Sequence, residues 1–441
     1  MIKKRVLYRI LLLGLQSLWS CSPEDATYFN NEEVDRATIA KVVLEPNQRQ
    51  LIADGHARLD LRPVMFDHQG VRILDSRVKE EWLEYLSDEN VSLSRYFSTT
   101  ETSLIGKTIP WRVKIKGTDI ESQTDSFRVV APLEEKYTSD IRIPVIFHII
   151  QTKEDIESYG GPYSEEKIAQ HLTKLNNLFA GTTSVNPVGV NTHIQFEMAR
   201  YTPQGQKMLT PGIERLTVQE LNAADTVNGF ADFLIARHLL WPPEQYMNIW
   251  LISDRKNKVA DFANGISANC YPRYLYPGTP LEGRPQGIAW QELPAGTTFG
   301  PRNAGIIYKL QELDVISRQF SDNSYVASAY NELAYYVGCY FGLFTTCTFS
   351  TGTPGTEIEL TPDYCEDTMN YWGTDFSTDR TFNTGWYKQA HGCYFRSENI
   401  MDDPTGLHIS VSKNQCERMR WVLENCPERA AWKNNFAFTG K

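Results

Sequence analysis

The stretch from Ser324 to Phe344 constrains the fold more than any other part of the sequence. Its apolar side chains recur at intervals of four, three, four and three residues, the spacing of one helical face packed against a core. These side chains belong to Val326, Tyr330, Leu333, Val337 and Tyr340. The spacing predicts a helix over 324–344 that lies inside a domain.

The adjoining face of this predicted helix carries polar groups and a glycine. Asn331, Glu332 and Tyr335 are followed by Gly338 and Phe341. This order resembles the metzincin zinc motif H-E-x-x-H-x-x-G-x-x-H, with its glutamate and glycine kept and its three histidines replaced. In that motif the histidines bind zinc, the glutamate is the general base, and the glycine lets the chain leave the helix.

The replaced positions lack the donors that zinc prefers, which are neutral imidazole, thiolate or carboxylate. Asn331 offers an amide, Tyr335 would have to lose a proton with a usual pKa of about 10, and Phe341 offers only a hydrocarbon ring. No H-E-x-x-H occurs anywhere in the sequence. We therefore expect no bound metal or other cofactor, and we expect Glu332 to occupy a general-base position without activity.

Three further segments resemble known motifs. Residues 363–368, DYCEDT, are similar to G-D-Y-x-x-D-T-P, and residues 399–402, NIMD, match the start of the Met-turn N-x-M-D-Y. Residues 415–420, QCERMR, are similar to a closing helix that reads Q-x-x-R-M-R. In these motifs Met369 stands in place of a proline, and Asp403 stands in place of the Met-turn tyrosine.

Together with the helix, these segments resemble the pappalysin-type metzincins, and specifically the bacterial zinc-dependent metalloproteinase lipoproteins. The resemblance covers roughly residues 140 to 430. It implies an α+β, metzincin-like peptidase fold with Met401 beneath the metal position, and zinc as the family's cofactor. For the acidic segment, we expect Asp363 and Asp367 to order a turn, with calcium binding as the alternative.

The amino terminus resembles a bacterial lipoprotein signal. Four basic residues precede a short apolar run that ends at Leu18-Trp19-Ser20-Cys21, similar to a lipobox in which Cys21 is lipidated. Removing residues 1–20 leaves 40 basic and 54 acidic side chains, a net charge of −14. We expect an exported protein, lipid-anchored to the outer membrane of a Gram-negative cell, with exposure at the cell surface left open and with no nucleic-acid partner.

The remaining patterns predict the domain organisation. After the signal peptide (1–20) comes a polar tether (21–37), then a small immunoglobulin-like β-sandwich (38–135), in which only the segment EEWLEYL has a helical pattern. The metzincin-like domain (138–435) begins with a β-branched strand, 141–150, in which His148 is expected to pack as a core residue. Seven cysteines follow Cys21, and export favours disulfides among them.

Three functions stay open at this point. The first is a metzincin-like lipoprotein without zinc or peptidase activity, whose cleft binds a peptide or protein or is vestigial. The second is an active zinc endopeptidase with an unusual ligand set, for which His391, His408 and a cysteine offer donors. The third is an adhesive or structural surface lipoprotein that acts through its β-sandwich.

Overall fold

The fold was obtained as a computed structural model of the chain. The described residues are 34–219, 230–253, 304–313, 317–319, 325–327, 332–348, 360, 362–372, 387–390, 393–402 and 406–441. The signal peptide, Cys21, most of the tether, Cys270, Asn331, His391 and Asp403 lie outside these residues. The predictions made for them stay predictions.

Helices and strands together form a mixed α/β fold. The helices of the described residues are α1 Lys153–Ser158, α2 Glu165–Phe179, α3 Phe230–Ala236, α4 Leu310–Leu313, α5 Glu332–Tyr340, α6 Lys413–Asn425 and α7 Phe436–Thr439. The first strands are β1 Ile39–Leu44, β2 Gln50–Ile52, β3 Leu59–Asp60, β4 Pro63–Asp67, β5 Arg72–Ile73, β6 Leu83–Ser87, β7 Tyr96–Phe97, β8 Thr108–Ile115 and β9 Asp125–Val130. The later strands are β10 Ile141–Thr152, β11 Ile194–Met198, β12 Ile213–Val218, β13 Met247–Ile252, β14 Gly305–Lys309, β15 Ser317–Gln319, β16 Tyr325–Ala327, β17 Cys347–Thr348, β18 Tyr371–Trp372, β19 Tyr387–Ala390 and β20 Cys393–Arg396.

The described chain divides into two compact units. The first takes in residues 34–44, 63–87 and 111–125, and the second takes in 45–62, 88–110 and the chain from 126 onward. Parts of the segment predicted as a β-sandwich therefore belong to each unit. The immunoglobulin-like fold and the domain boundaries stay predictions.

The first unit is built from antiparallel strands. β4 pairs with β1 and β5, and β6 pairs with the second half of β8, with Leu83 opposite Ile115. The helical pattern predicted for EEWLEYL was wrong, because Glu80–Trp82 forms one 3-10 turn and the rest is β6. Pairing with β8 supplies the backbone hydrogen bonds and buries Leu83, which outweighs the local helical preference.

The second unit contains a parallel sheet with β10 at its centre, which confirms the inner strand predicted over 141–150. β11 and β12 pair with the first and second halves of β10, and β13 and β14 follow on its other side. The apolar odd-numbered residues of β10, from Ile141 to Ile149, belong to a large core that also contains side chains of α2, α5 and α6. On the opposite face of the strand, Ile146 and Ile150 enter two smaller clusters, as alternation along a strand requires.

Two helices of the second unit begin at capping serines. Ser164 caps α2 by accepting a hydrogen bond from the backbone N–H of Lys167, and the apolar stripe of α2 is buried. Ser412 caps α6 in a reciprocal capping box with Gln415. No helix in the described part of the chain is long and apolar enough to cross a membrane.

The helix predicted over 324–344 is shorter in the structure. Tyr325–Ala327 is strand β16, antiparallel to β15, and the described part of the helix is Glu332–Tyr340. Tyr and Val favour strands, and pairing with β15 supplies the competing hydrogen bonds. The helix continues beyond Gly338 and ends where Gly342 adopts a φ of 89°, so Gly342 is the residue that lets the chain leave.

Candidate functional site

The candidate site is built on α5 and the segments packed against it. Asn331 precedes the described residues of this helix, and Glu332 is described by its backbone as the first residue of α5. The expected roles of both therefore stay predictions. Tyr335 and Phe341, at the second and third ligand positions of the motif, are described in full.

Tyr335 is partly buried and packs against the large core. Its ring meets that of Tyr336 edge to face, with centroids 5.2 Å apart. The neighbouring Cys339 thiol, followed by burial of the phenol, raises the pKa of Tyr335 well above its ordinary value. A phenol that holds its proton is a poor zinc ligand, so its surroundings reinforce what the residue type implies.

Phe341 is fully buried at the third ligand position. Its ring lies nearly parallel to that of Phe196 on β11, with centroids 6.1 Å apart and planes at 21°. Phe196 in turn meets Phe179, the last residue of α2, edge to face at 5.0 Å. The position that would carry the third imidazole is therefore part of an aromatic row that joins α5, β11 and α2.

Gly338 allows the Met-turn to pack closely against α5. A Cβ atom built on Gly338 would lie 2.5 Å from Sδ of Met401 and 3.2 Å from Cδ1 of Ile400. Both Met401 and Ile400 are fully buried. The glycine of the motif therefore permits a close approach, whereas the motif predicted that it would mark the exit from the helix.

The Met-turn is held by its own polar side chains. Asn399 Oδ1 accepts a hydrogen bond from the Met401 backbone N–H at 2.9 Å. The buried carboxylate of Asp402 accepts from the Thr346 hydroxyl at 2.6 Å and from the Ser397 hydroxyl at 2.7 Å. These bonds hold the turn that carries Met401 against Gly338 of α5, and the position of Met401 beneath a metal site stays a prediction.

A reciprocal amide pair connects the Met-turn to α6. Asn399 Nδ2 donates to Gln415 Oε1 at 2.8 Å, and Gln415 Nε2 donates to Asn399 Oδ1 at 2.9 Å. Gln415 also accepts from the backbone N–H of Ser412 at 3.0 Å. The motifs did not predict this contact. One signal of it was present in the sequence, because Asn399 is the first residue of the Met-turn motif and Gln415 is the first residue of the closing-helix motif that follows it.

The chain is similar in structure to mirolysin. Mature mirolysin of Tannerella forsythia, solved in complex with a cleaved peptide, matches with a TM-score of 0.41 and 19% identity over 68% of this chain and 97% of that chain. A promirolysin mutant of the same organism matches with a TM-score of 0.40 and 18% identity, over 69% and 87% of the two chains. No protein-family model and no curated protein matches the chain.

Asp363 and Asp367 order a turn, which confirms the prediction made for them. Asp363 Oδ1 accepts from the Cys365 backbone N–H at 3.2 Å and from Asn370 Nδ2 at 3.0 Å. Asp367 accepts from the Ser412 hydroxyl at 2.7 Å and the Asn414 backbone N–H at 2.8 Å. Burial raises the pKa of Asp367 to about 7. Protein donors therefore satisfy the carboxylates that the calcium alternative would use.

Other candidate ligands among the described residues are buried. His148 is a buried strand residue, as predicted, and His408 is also buried. Within the described ranges, no group of three or more histidine, cysteine or acidic side chains is arranged to hold a metal ion. Six of the seven cysteines after Cys21 are described and buried, and Cys365 and Cys416 are thiols whose pKa is raised by burial. Disulfides stay a prediction.

Proposed function

We propose that the second unit is a metzincin-like domain that has lost zinc binding and peptidase activity, and that its former substrate cleft binds a polypeptide without cleaving it. The motif order around α5 supports the family assignment. So does the close packing of Met401 against Gly338, because a methionine turn beneath the site helix is the arrangement that the resemblance implies.

The packing of Phe341 is the observation that carries this proposal. A side chain without a donor atom lies fully buried at the third ligand position, and its ring stacks on Phe196. The adjacent phenol of Tyr335 keeps its proton. These two residues do not fit a zinc ion. Without a metal, water keeps a pKa near 15.7 where a zinc-bound water has one of about 7, so Glu332 would lack an activated nucleophile.

Metal analysis of the purified full chain, together with a peptide-library assay, tests the proposal. We expect less than stoichiometric zinc, no cleavage, and recovery of uncut peptides bound to the protein. Stoichiometric zinc, or cleavage that a chelator stops, would favour an active peptidase with an unusual ligand set. Binding that survives in residues 22–133 alone would instead favour the adhesive function.

Restoring the motif provides a positive test of the family assignment. We expect Asn331→His, Tyr335→His and Phe341→His together to give a protein that binds one zinc per chain, because these positions would then offer three imidazoles around one point. Bound zinc should also raise the melting temperature, since it binds only the folded state.

The matched control for this test is the double variant that keeps Phe341. It carries two imidazoles and should bind zinc much more weakly than the triple variant. Circular dichroism establishes that each variant is folded. A folded triple variant that takes up no zinc would show that the motif alignment is wrong.

We also propose that the mature protein is anchored by lipid at Cys21 in the outer membrane of a Gram-negative cell. The basic residues, the short apolar run and the lipobox-like residues 18–21 support this location. The wild-type chain should enter the detergent phase of a Triton X-114 partition, and Cys21→Ser should enter the aqueous phase. Equal partition of the two would contradict lipidation at this cysteine.

A further inference from the structure

His148 occupies a polar enclosure at the centre of the parallel sheet. It lies on β10 and is fully buried. Its Nδ1 lies 2.8 Å from Oε2 of Glu214, its register partner on β12. Its Nε2 lies 3.0 Å from Oδ1 of Asn248 on β13. Both ring nitrogens are therefore engaged by neighbouring strands of the sheet.

The partners of Asn248 determine the proton on Nε2. Asn248 Nδ2 donates to the carbonyl oxygens of Trp241 at 2.9 Å and of Ala304 at 3.1 Å. Two carbonyl acceptors require the amide nitrogen at this place, so the amide cannot be turned round. Its Oδ1 can therefore only accept a hydrogen bond, and Nε2 of His148 must be the donor.

The bond to Glu214 requires a second proton. A carboxylate can only accept, so either Nδ1 or the Glu214 carboxyl carries a hydrogen between them. The Glu214 side chain is 34% exposed, which allows water to solvate its ionised form. Donation from an imidazolium to a carboxylate is also the stronger, charge-assisted arrangement. These considerations favour a charged pair with both protons on the histidine.

The aromatic neighbours of His148 also suit a cation. Trp250, the register partner on β13, stacks on the imidazole with ring centroids 5.9 Å apart and planes at 18°. Trp241, in the segment before β13, meets it edge to face at 5.4 Å. The face of the stacked Trp250 indole attracts a cation at such a distance. Among the described contacts of the ring, Glu214 is the titratable group, whereas Asn248 and the two tryptophans are uncharged.

We infer that both ring nitrogens of His148 carry a proton in the folded protein, and that His148, Glu214 and Asn248 form a proton lock joining β12, β10 and β13. Loss of the Nδ1 proton would place a lone pair against the Glu214 carboxylate, which removes the ionic link between β12 and β10.

Nitrogen NMR of the full chain labelled with ¹⁵N-histidine tests this inference. We expect the His148 ring to show two protonated nitrogens in a spectrum recorded near pH 7.5. Glu214→Gln should leave His148 with a single proton on Nε2, because the new amide can donate to Nδ1. The signal that disappears in His148→Gln is the His148 resonance. If that variant does not fold, through-space NMR contacts between the ring protons of His148 and Trp250 assign it.

The wild-type spectrum decides the outcome even if Glu214→Gln does not fold. A His148 ring with an unprotonated Nδ1 near pH 7.5 would overturn the inference, as would a folded Glu214→Gln variant whose ring keeps both protons.

Discussion

Replacing Phe341 with alanine is expected to lower the free energy of unfolding by about 3 to 5 kcal/mol. The ring is fully buried, and it stacks on Phe196 in the row that joins α5, β11 and α2. Truncation would remove these contacts and leave a cavity that the surrounding helices and sheet fill only in part. Urea denaturation of the wild type and the variant measures the loss.

Two control variants distinguish the loss of Phe341 packing from a loss of stability that any substitution in this segment would cause. Phe341→Leu keeps most of the apolar volume and should cost less than about 1.5 kcal/mol. Phe344→Ala removes a ring that is only partly buried, so it should cost less than Phe341→Ala. If Phe341→Ala were as stable as the wild type, the aromatic row would not contribute to the core, and the main support for a metal-free site would be lost.

Asp367→Asn is expected to remove a pH dependence of stability between about pH 4 and pH 7. Burial raises the pKa of Asp367 from 3.8 to about 7 in the folded protein. In this range the folded state holds a proton that the unfolded chain has released, so stability falls as the pH rises. A shift of this size corresponds to on the order of 4 kcal/mol. Asparagine holds no titrating proton, so the variant should lack this decline.

The measurement is the difference in unfolding free energy between Asp367→Asn and the wild type at successive pH values. That difference should move in favour of the variant as the pH rises, because only the wild type loses stability from this group. Glu366→Gln, an exposed neighbour in the same turn, is the matched control and should follow the wild type. A difference that does not change with pH would mean that Asp367 ionises in the folded protein as it does in the unfolded chain.

The Asp367 carboxylate lies in a hydrogen-bond network that extends to the Met-turn. Its carboxylate accepts from the Ser412 hydroxyl, and Ser412 caps the helix whose Gln415 holds Asn399 of the Met-turn. The side chain of Gln48 donates to the Asp367 carbonyl oxygen at 3.0 Å. A continuous set of hydrogen bonds therefore connects the acidic turn, the start of α6 and the turn that carries Met401.

Two elements were predicted well because their sequence patterns are local. The β-branched run of β10 and the closing-helix motif of α6 are each formed by side chains close together along the chain. The strands β6 and β16 were missed because pairing with β8 and β15 outweighs helical patterns in their sequences. Gly338 was misinterpreted for a similar reason, since its value depends on Met401, which lies far along the chain.

The sequence by itself determined which chemical groups stand at the ligand positions of the zinc motif, because the presence of an amide, a phenol and a hydrocarbon ring does not depend on folding. Only the tertiary structure decided what those groups do. Phe341 belongs to an aromatic row because β11 and α2 bring Phe196 and Phe179 to it. Tyr335 keeps its proton because the Cys339 thiol and burial both raise the pKa of its phenol. The packing partners of Phe341 are distant in sequence, and the Cys339 thiol comes beside Tyr335 only when the helix forms and is buried, so folding determines both the packing and the protonation.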